Sequence, residues 1–309
     1  MLRQALLLLA RSQQVKEVVT RMPVSNALVH RYVPGEETEL AVEASRVLIG
    51  DGLLVTLDFL GEDTNDEAQA EATVAAYLEL LEGLSRAGLA RSSEVSVKLS
   101  AIGQALPEVG PKLATENARR ICRAARNTGT TVTLDMEDHT TTDATLATLH
   151  ELRKDFPETG AVLQAYLHRT EQDCRALAHE GSRVRLCKGA YNEPEEVAYQ
   201  DRHDVDKSYV RCLKVLMAGE GYPMVATHDP RLIKIASALA TRHGKMPRTY
   251  EFQMLYGIRR DLQSSLVAEG YRVRVYVPFG REWFPYFMRR LGERPANVGF
   301  VLRALLSEK

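Results

Sequence analysis

The chain has 309 residues, a formal net charge of −1, 45% hydrophobic residues and 26% charged residues. This composition is typical of a globular domain with a sizeable core, and the nearly neutral charge argues against nucleic acid, which favours a basic face or stripe. Four widely spaced cysteines form no metal-binding motif and are expected to be reduced thiols. The apolar run over 5–10 is too short for a secretion signal, and no segment is long enough for a membrane span. We therefore expect a cytoplasmic protein with at most peripheral contact with the inner face of the cell membrane.

In chain order, helical patterns over 2–21 and 37–50 come before a repeated alternation of short β-rich runs and helix-patterned segments. The β-rich runs cover 53–60, 94–100, 131–138, 161–167, 184–190, 224–229, 250–257 and 272–280. Helical spacing is found between them, as over 65–84, 116–127, 142–154 and 195–217.

Eight alternating units of this kind predict an α/β fold, a (β/α)₈ barrel of the TIM type. We expect one domain over 1–309, with a helical arm over 1–50 and the barrel over 51–309. The alternative is a doubly wound sheet, but no G-x-G-x-x-G follows any of the runs.

Polar residues gather at or just beyond the carboxyl ends of the predicted strands. Barrel strands are expected to begin apolar and to stay so unless their carboxyl ends carry chemistry. The polar positions are Glu62, Lys98, Asp135, Glu137, Asp138, Gln164, Arg185, Lys188, Thr227, His228, Asp229 and Tyr276. Any one of them could be a rim residue satisfied by water, but their recurrence predicts one converging polar site.

Two local motifs add chemistry. After the fifth run, Lys188 stands beside Gly189, so that a phosphate could approach bare backbone there while the lysine neutralises it; turn chemistry is the alternative reading. After the eighth run, Arg289 and Arg290 lie about 100° apart on a predicted helix, with Glu293 close by. An exposed helix with local ion pairs would explain that pattern. However, the aromatic residues over 283–287 make the helix too apolar for a solvated face, so the arginines need anionic partners. Glu62 and a substrate carboxylate are the candidates.

Seven segments, one to a strand in most cases, carry a resemblance to a known family. They are VSVKLS (95–100), LDMED (134–138), LQAYL (163–167), RLCKGAY (185–191), ATHDPR (226–231), EFQMLYG (251–257) and YVPFGREWFPYFMRRLGERPAN (276–297). Along nearly its whole length the chain resembles the short monofunctional bacterial proline dehydrogenases. One departure is Cys187, where valine is usual.

The resemblance implies a somewhat distorted barrel, with a C-terminal helix contributing to the site, that uses FAD to oxidise L-proline to Δ1-pyrroline-5-carboxylate. A quinone would then take the electrons, and a separate pyrroline-5-carboxylate dehydrogenase would take the product. The implied catalytic residues are Lys98, Asp135 and Arg185, and Lys98 and Asp135 would also contact the substrate. The other implied substrate-binding residues are Leu255, Tyr276, Arg289 and Arg290. The residues implied to contact FAD are Met136, Gln164, Arg185, Lys188, Gly189, Ala190, Thr227 and His228. Glu62 and Glu293 are implied to pair with the arginines.

Two other functions compete with this one. A metal-dependent barrel hydrolase could use carboxylates and imidazoles at the strand ends, although no H-x-H stands on the first strand. Its candidate ligands are Asp135, Glu137, His139, His228 and Asp229. A barrel that binds FAD but has lost its chemistry is the other alternative, and flavin that proline fails to reduce would favour it.

Overall fold

The computed structural model of the protein describes residues 29–61 and 64–292. Eight parallel strands form a closed barrel in sequence order, with β8 paired to β1. The strands are β1 (Leu54–Phe59), β2 (Ser93–Val97), β3 (Thr131–Leu134), β4 (Gly160–Gln164), β5 (Arg183–Cys187), β6 (Tyr222–Ala226), β7 (Glu251–Leu255) and β8 (Val273–Phe279). The predicted (β/α)₈ barrel is therefore confirmed.

Helices precede the first strand, connect successive strands and follow the last strand. They are α1 (Thr38–Gly50), α2 (Glu67–Arg86), α3 (Gly110–Thr128), α4 (Thr142–Arg153), α5 (Thr170–Leu177), α6 (Arg202–Ala218), α7 (Pro230–Arg242), α8 (Arg260–Ala268) and α9 (Trp283–Gly292). Side-chain caps fix several starts: Asp66 accepts a hydrogen bond from the Gln69 backbone N–H at 2.8 Å, and Asp229 caps α7 ahead of Pro230.

The predicted element ends differ from the observed ones in a regular way. Strands β2 to β5 end at Val97, Leu134, Gln164 and Cys187, three residues or more before the predicted ends. Beyond these residues the chain forms the rim of the barrel. Its composition stays strand-like, but only isolated backbone hydrogen bonds continue, such as that from the Asp135 N–H to the Val97 carbonyl at 2.9 Å. The helix predicted over 195–217 begins only at Arg202, because Asp201 caps it by accepting from the backbone N–H groups of His203 and Asp204.

A small apolar cluster covers the carboxyl end of the barrel. In it Trp283, Phe284 and Phe287 of α9 pack with Leu60 after β1 and Ile258 after β7, and Leu255 packs against it. Helix α9 therefore lies over the end of the barrel at which the strand carboxyl ends meet.

Within the described ranges, no helix has both the length and the apolar character needed to cross a membrane. The helix predicted over 2–21, Glu62 and Glu293 all lie outside the described residues. The division into an arm over 1–50 and a barrel over 51–309 stays a prediction.

Candidate active site

A network of buried polar side chains lies inside the barrel at its carboxyl end. Asp135, just beyond β3, accepts hydrogen bonds from Ser96 Oγ at 2.8 Å and from Tyr276 OH at 2.7 Å. Lys98, just beyond β2, lies with its Nζ 2.7 Å from Asp58 Oδ1 and 3.8 Å from Asp135 Oδ2. Residues of strands β1, β2, β3 and β8 thus converge on one point.

Arg185 on β5 occupies the centre of this network. Its Nη1 donates to Asp135 Oδ1 at 2.7 Å, and to Ser96 Oγ at 2.9 Å. Its Nε donates to Gln253 Oε1 at 2.5 Å, and its Nη2 to Glu94 Oε1 at 3.1 Å. The guanidinium group also lies 5.3 Å from the ring centroid of Tyr276. With its donors directed to four side chains, Arg185 is fixed in orientation before any substrate arrives.

Burial and charge shift the titration of these groups. Burial, with a smaller contribution from the Asp135 charge, raises the pKa of Asp58, although Lys98 opposes the shift. Burial and then the Asp135 and Asp58 charges hold the pKa of Tyr276 well above its usual value, so the phenol stays protonated and donates. Burial acts to lower the pKa of Arg185, but Asp135 and Glu94 outweigh it and raise that pKa. At neutral pH Arg185 is therefore charged and the Tyr276 phenol is neutral.

The polar network continues to the opposite end of the barrel. Glu94 on β2 is fully buried and pairs with both Arg183 and Arg185 of β5. Glu251 on β7 pairs with Arg274 on β8 at 2.7 Å. The expectation that the strands begin apolar was wrong. The amino ends carry ion pairs inside the barrel, where branched aliphatic residues are usual.

Glu94→Gln is expected to lower the free energy of unfolding at pH 7 by about 3–5 kcal/mol, because Arg183 and the buried Arg185 lose the carboxylate that they share. Burial raises the pKa of Glu94, but Arg183, Arg274 and Arg185 outweigh it and lower the value to about 2. A depressed carboxyl pKa stabilises the fold above the unfolded-state value and loses that effect as the pH falls through the folded-state value. The stability difference between wild type and variant should therefore shrink as the pH falls from 4.5 toward 2. Urea unfolding across that range measures it, and a difference independent of pH would contradict the assignment.

The two predicted arginines of α9 are half-buried. Arg290 has its guanidinium carbon 5.3 Å from the ring centroid of Tyr286. The buried face of the helix, including Phe287 and Met288, holds both arginines at the carboxyl end of the barrel. Their predicted partners Glu62 and Glu293 lie outside the described residues.

The predicted flavin-contacting residues come from neighbouring strands β3 to β6. Gln164 ends β4, and its Nε2 donates to the Glu137 carbonyl at 2.7 Å. After β6, Thr227 Oγ1 accepts from the Asp229 backbone N–H at 3.1 Å, and His228 Nε2 accepts from the Leu255 backbone N–H at 2.9 Å. That bond leaves the proton of a neutral His228 on Nδ1. Met136 is buried beyond β3.

The chain beyond β5 has a backbone that only glycine fits. Gly189 has a φ of 114°, and a Cβ there would lie 2.4 Å from ring atoms of Tyr166. The preceding Lys188 pairs with Asp206 of α6 rather than pointing along the strand, and Ala190 is exposed. The Gly189 backbone therefore passes flat against an aromatic ring and leaves main-chain groups accessible at the rim.

The five residues proposed as metal ligands have separate partners. Asp135 joins Arg185, Glu137 accepts from Ser100 Oγ at 2.5 Å, and His139 pairs with Glu193. His228 accepts from the Leu255 backbone N–H, and Asp229 pairs with Arg231. In the part of the chain that the structure describes, no group of His, Cys, Asp or Glu side chains is arranged to hold a metal ion.

Comparisons with known proteins identify the family. The family model described as proline dehydrogenase matches residues 41–303. The chain belongs to the proline dehydrogenase family. Proline dehydrogenases are oxidoreductases that act on a CH–NH group, and membership supports proline oxidation, the first step of proline catabolism.

Other proline dehydrogenases are similar over nearly their full length. The proline dehydrogenase of Deinococcus radiodurans is 42% identical over 98% of this chain and 97% of its own. Proline dehydrogenase 1 of Bacillus subtilis (strain 168) is 38% identical over 90% of each chain. The bifunctional protein PutA of Escherichia coli (strain K12) is 28% identical over 88% of this chain, which spans 24% of PutA.

A solved structure shares the fold. Proline utilization A from Bdellovibrio bacteriovorus, inactivated by N-propargylglycine, superposes with a TM-score of 0.80 at 26% identity. The match covers 86% of this chain and 32% of that one.

Sequence reasoning missed several members of the network in this proline dehydrogenase. They are Asp58, Glu94, Ser96, Glu251, Gln253 and Arg274. The signal was present as period-two alternation: Glu94, Ser96 and Lys98 are polar, while Val95 and Val97 between them are apolar.

Proposed function

We propose that the chain oxidises L-proline to Δ1-pyrroline-5-carboxylate with FAD as the hydride acceptor and a quinone as the final electron acceptor. The observation that carries this proposal is the buried Lys98–Asp135–Arg185–Tyr276 network beneath a helix bearing two adjacent arginines. Family membership supplies the substrate class.

The arginines of α9 would hold the substrate carboxylate. Guanidinium groups grip a carboxylate through two parallel hydrogen bonds, which fixes position as well as charge. Arg289 and Arg290 are set on a helix whose apolar face is buried, so the clamp is rigid. Lys98 would add positive charge on the same side, and Leu255, packed against the same apolar cluster, would cover the ring.

Orientation would supply much of the rate acceleration. Hydride loss from C5 needs the nitrogen lone pair, so the neutral amine reacts, and the ring must stay in one position relative to the acceptor. Asp135 and Tyr276 form the wall of the pocket, and their mutual bond of 2.7 Å keeps both side chains in place.

The rim residues of β3 to β6 fit a flavin dinucleotide. A lysine, an imidazole with its proton on Nδ1, an oriented amide and a glycine backbone offer hydrogen-bond donors for a diphosphate and a polar ring edge. Lys188, Gly189, Ala190, Thr227, His228, Gln164 and Met136 would hold it, with Arg185 beside the ring. FAD, when bound, supplies the ring nitrogen that accepts the hydride from proline C5. The fixed charge of Arg185 stabilises negative charge that develops next to it.

The direct test is a visible absorption spectrum of the purified protein before and after anaerobic addition of L-proline. We expect flavin bands that bleach with proline but not with glutamate or hydroxyproline. Flavin that does not bleach would contradict the proposed reaction but would still support FAD as the cofactor. Protein with no flavin, even after FAD is added back, would overturn the proposal as a whole.

Gln164→Ala is expected to shift the flavin absorption maximum or the flavin potential, because the amide that Glu137 orients would be lost from the cofactor edge. The loss of one such hydrogen bond amounts to about 1 kcal/mol, or several-fold in FAD affinity. Gln172→Ala, at an exposed position on α5, is the matched control. An unchanged spectrum and FAD affinity in Gln164→Ala would remove this residue from the cofactor site.

The product and the electrons need partners. We propose that a separate pyrroline-5-carboxylate dehydrogenase takes the product, because PutA, which is 28% identical to this chain, is named a bifunctional protein. A cytoplasmic protein with peripheral contact at the inner face of the membrane would reach a membrane quinone.

A further inference from the structure

A second cavity opens at the end of the barrel opposite the candidate active site. It has a volume of about 290 Å³, and its wall is formed by residues at or just before the amino ends of β2, β3, β5, β6, β7 and β8. The lining includes four arginines, Arg91, Arg183, Arg272 and Arg274, with Glu251 as the lining carboxylate. The filled barrel interior separates this amino-end cavity from the site at the carboxyl end.

The floor of the amino-end cavity is neutralised by buried carboxylates. Arg274 makes two hydrogen bonds to Glu251, at 2.7 Å and 3.3 Å. Arg183 pairs with Glu94, and Glu94 also pairs with Arg185. Two carboxylates are therefore fully occupied by arginines that the barrel interior already contains.

The rim of the amino-end cavity carries positive charge beyond that balance. Arg91 and Arg272 are exposed, and neither forms an ion pair with a carboxylate within residues 29–61 and 64–292. Arg272 Nη1 is instead held by neutral groups, the Tyr222 hydroxyl at 3.4 Å and the Arg248 carbonyl at 3.3 Å. Four guanidinium groups against two carboxylates leave an excess of two positive charges at this mouth.

A nearby arginine shows the same excess. Burial, and then the neighbouring Arg183 charge, lower the pKa of Arg153 to about 10. Arg153 lies behind the wall and donates to Ser182 Oγ at 3.0 Å, next to the start of β5. The Arg183 charge thus adds to the larger effect of burial in lowering the pKa of Arg153.

We propose that the amino-end cavity is a binding site for a small dianionic oxyanion. The volume holds roughly ten water molecules, so inorganic phosphate or a four-carbon dicarboxylate fits with room for bridging water. Guanidinium groups match the oxygen geometry of both anions, and the lining includes Arg91, Arg183, Arg272 and Arg274. A dianion neutralises both excess charges, whereas a monoanion such as chloride neutralises only one of them.

The test is isothermal titration calorimetry of the full chain, as purified and without proline, against phosphate and against succinate at constant ionic strength in chloride. We expect both dianions to bind and the double variant Arg91→Gln/Arg272→Gln to weaken binding about ten-fold or more. These substitutions leave no buried carboxylate unpaired, so the fold should be unaffected. Arg123→Gln, exposed on the outer side of α3, is the matched control and should bind as wild type does.

The carboxyl-end arginines could also attract an anion, so the titration is repeated in Arg289→Met. Binding that persists there and is lost in the rim double variant supports the amino-end site. Binding that is lost in Arg289→Met, or that is unchanged in the rim double variant, overturns it. Heats for phosphate and succinate no larger than for chloride also overturn it. None of these outcomes depends on proline oxidation, so failure here and failure of the proposed function are distinguishable.

Discussion

Replacing Arg289 with methionine is expected to raise the KM for proline by about 10²- to 10³-fold, since the proposed charge-assisted pair of this half-buried arginine with the substrate carboxylate would be lost. The helix should stay in place, because its contacts with the barrel are made by Trp283, Phe284 and Phe287 rather than by the arginine. Methionine retains much of the length and apolar volume of the arginine stem. Bound flavin should therefore remain, with its spectrum unchanged. Steady-state kinetics with proline, together with the flavin-to-protein ratio, measures both quantities.

Three further variants sharpen that result. Arg290→Met should give a loss of similar size, because the two residues are proposed to hold one carboxylate. Arg289→Lys should recover part of the affinity through charge without the two-pronged geometry. Arg281→Met, which removes an exposed pair with Glu37 at 3.3 Å, should leave KM unchanged. Normal proline affinity in both Arg289→Met and Arg290→Met would show that the carboxylate is held elsewhere.

The barrel could be predicted because its signal is distributed over the whole chain. Strand and helix patterns alternate eight times, and each strand run overlaps an observed strand. Element ends were harder to predict, since the strand-like composition continues through residues such as Lys98 and Asp135 although the strands end just before them. Only the neighbouring strand decides where pairing ends, and one sequence does not show that neighbour.

The sequence predicted the residues at the rim of the candidate site but missed those in the barrel interior. Parallel barrel strands are normally apolar on both faces, so Asp58 in an apolar run and Glu94 at a strand start carried no evident role. Their roles depend on distant partners: Lys98 lies 40 positions from Asp58, and Arg183 and Arg185 lie 89 and 91 positions from Glu94. Once the barrel closes, these isolated charges become neighbours, and the low dielectric interior requires them to pair.

Arg185→Met is expected to lower kcat by about 10² to 10³, because the fixed positive charge next to the proposed acceptor is removed. The same change leaves Asp135 and Glu94 with one cation fewer in a buried setting, which should lower the free energy of unfolding by about 3–5 kcal/mol. Rate and stability must therefore be separated. Anaerobic rapid mixing with proline gives the rate of flavin bleaching, and urea unfolding gives the stability.

Arg153→Gln separates the two effects, because it removes a half-buried arginine that bonds Thr159 and Ser182 in the barrel wall, away from the carboxyl end. It should lower stability while leaving the bleaching rate within about two-fold of wild type, as a purely structural loss would. Arg185→Lys keeps the charge but cannot reach Gln253, Ser96 and Glu94 together, so its rate should fall between those of wild type and Arg185→Met. If Arg185→Met bleaches at the wild-type rate despite its lower stability, Arg185 is a structural cation of the barrel interior. The charge that assists hydride transfer would then have to come from another residue of the rim.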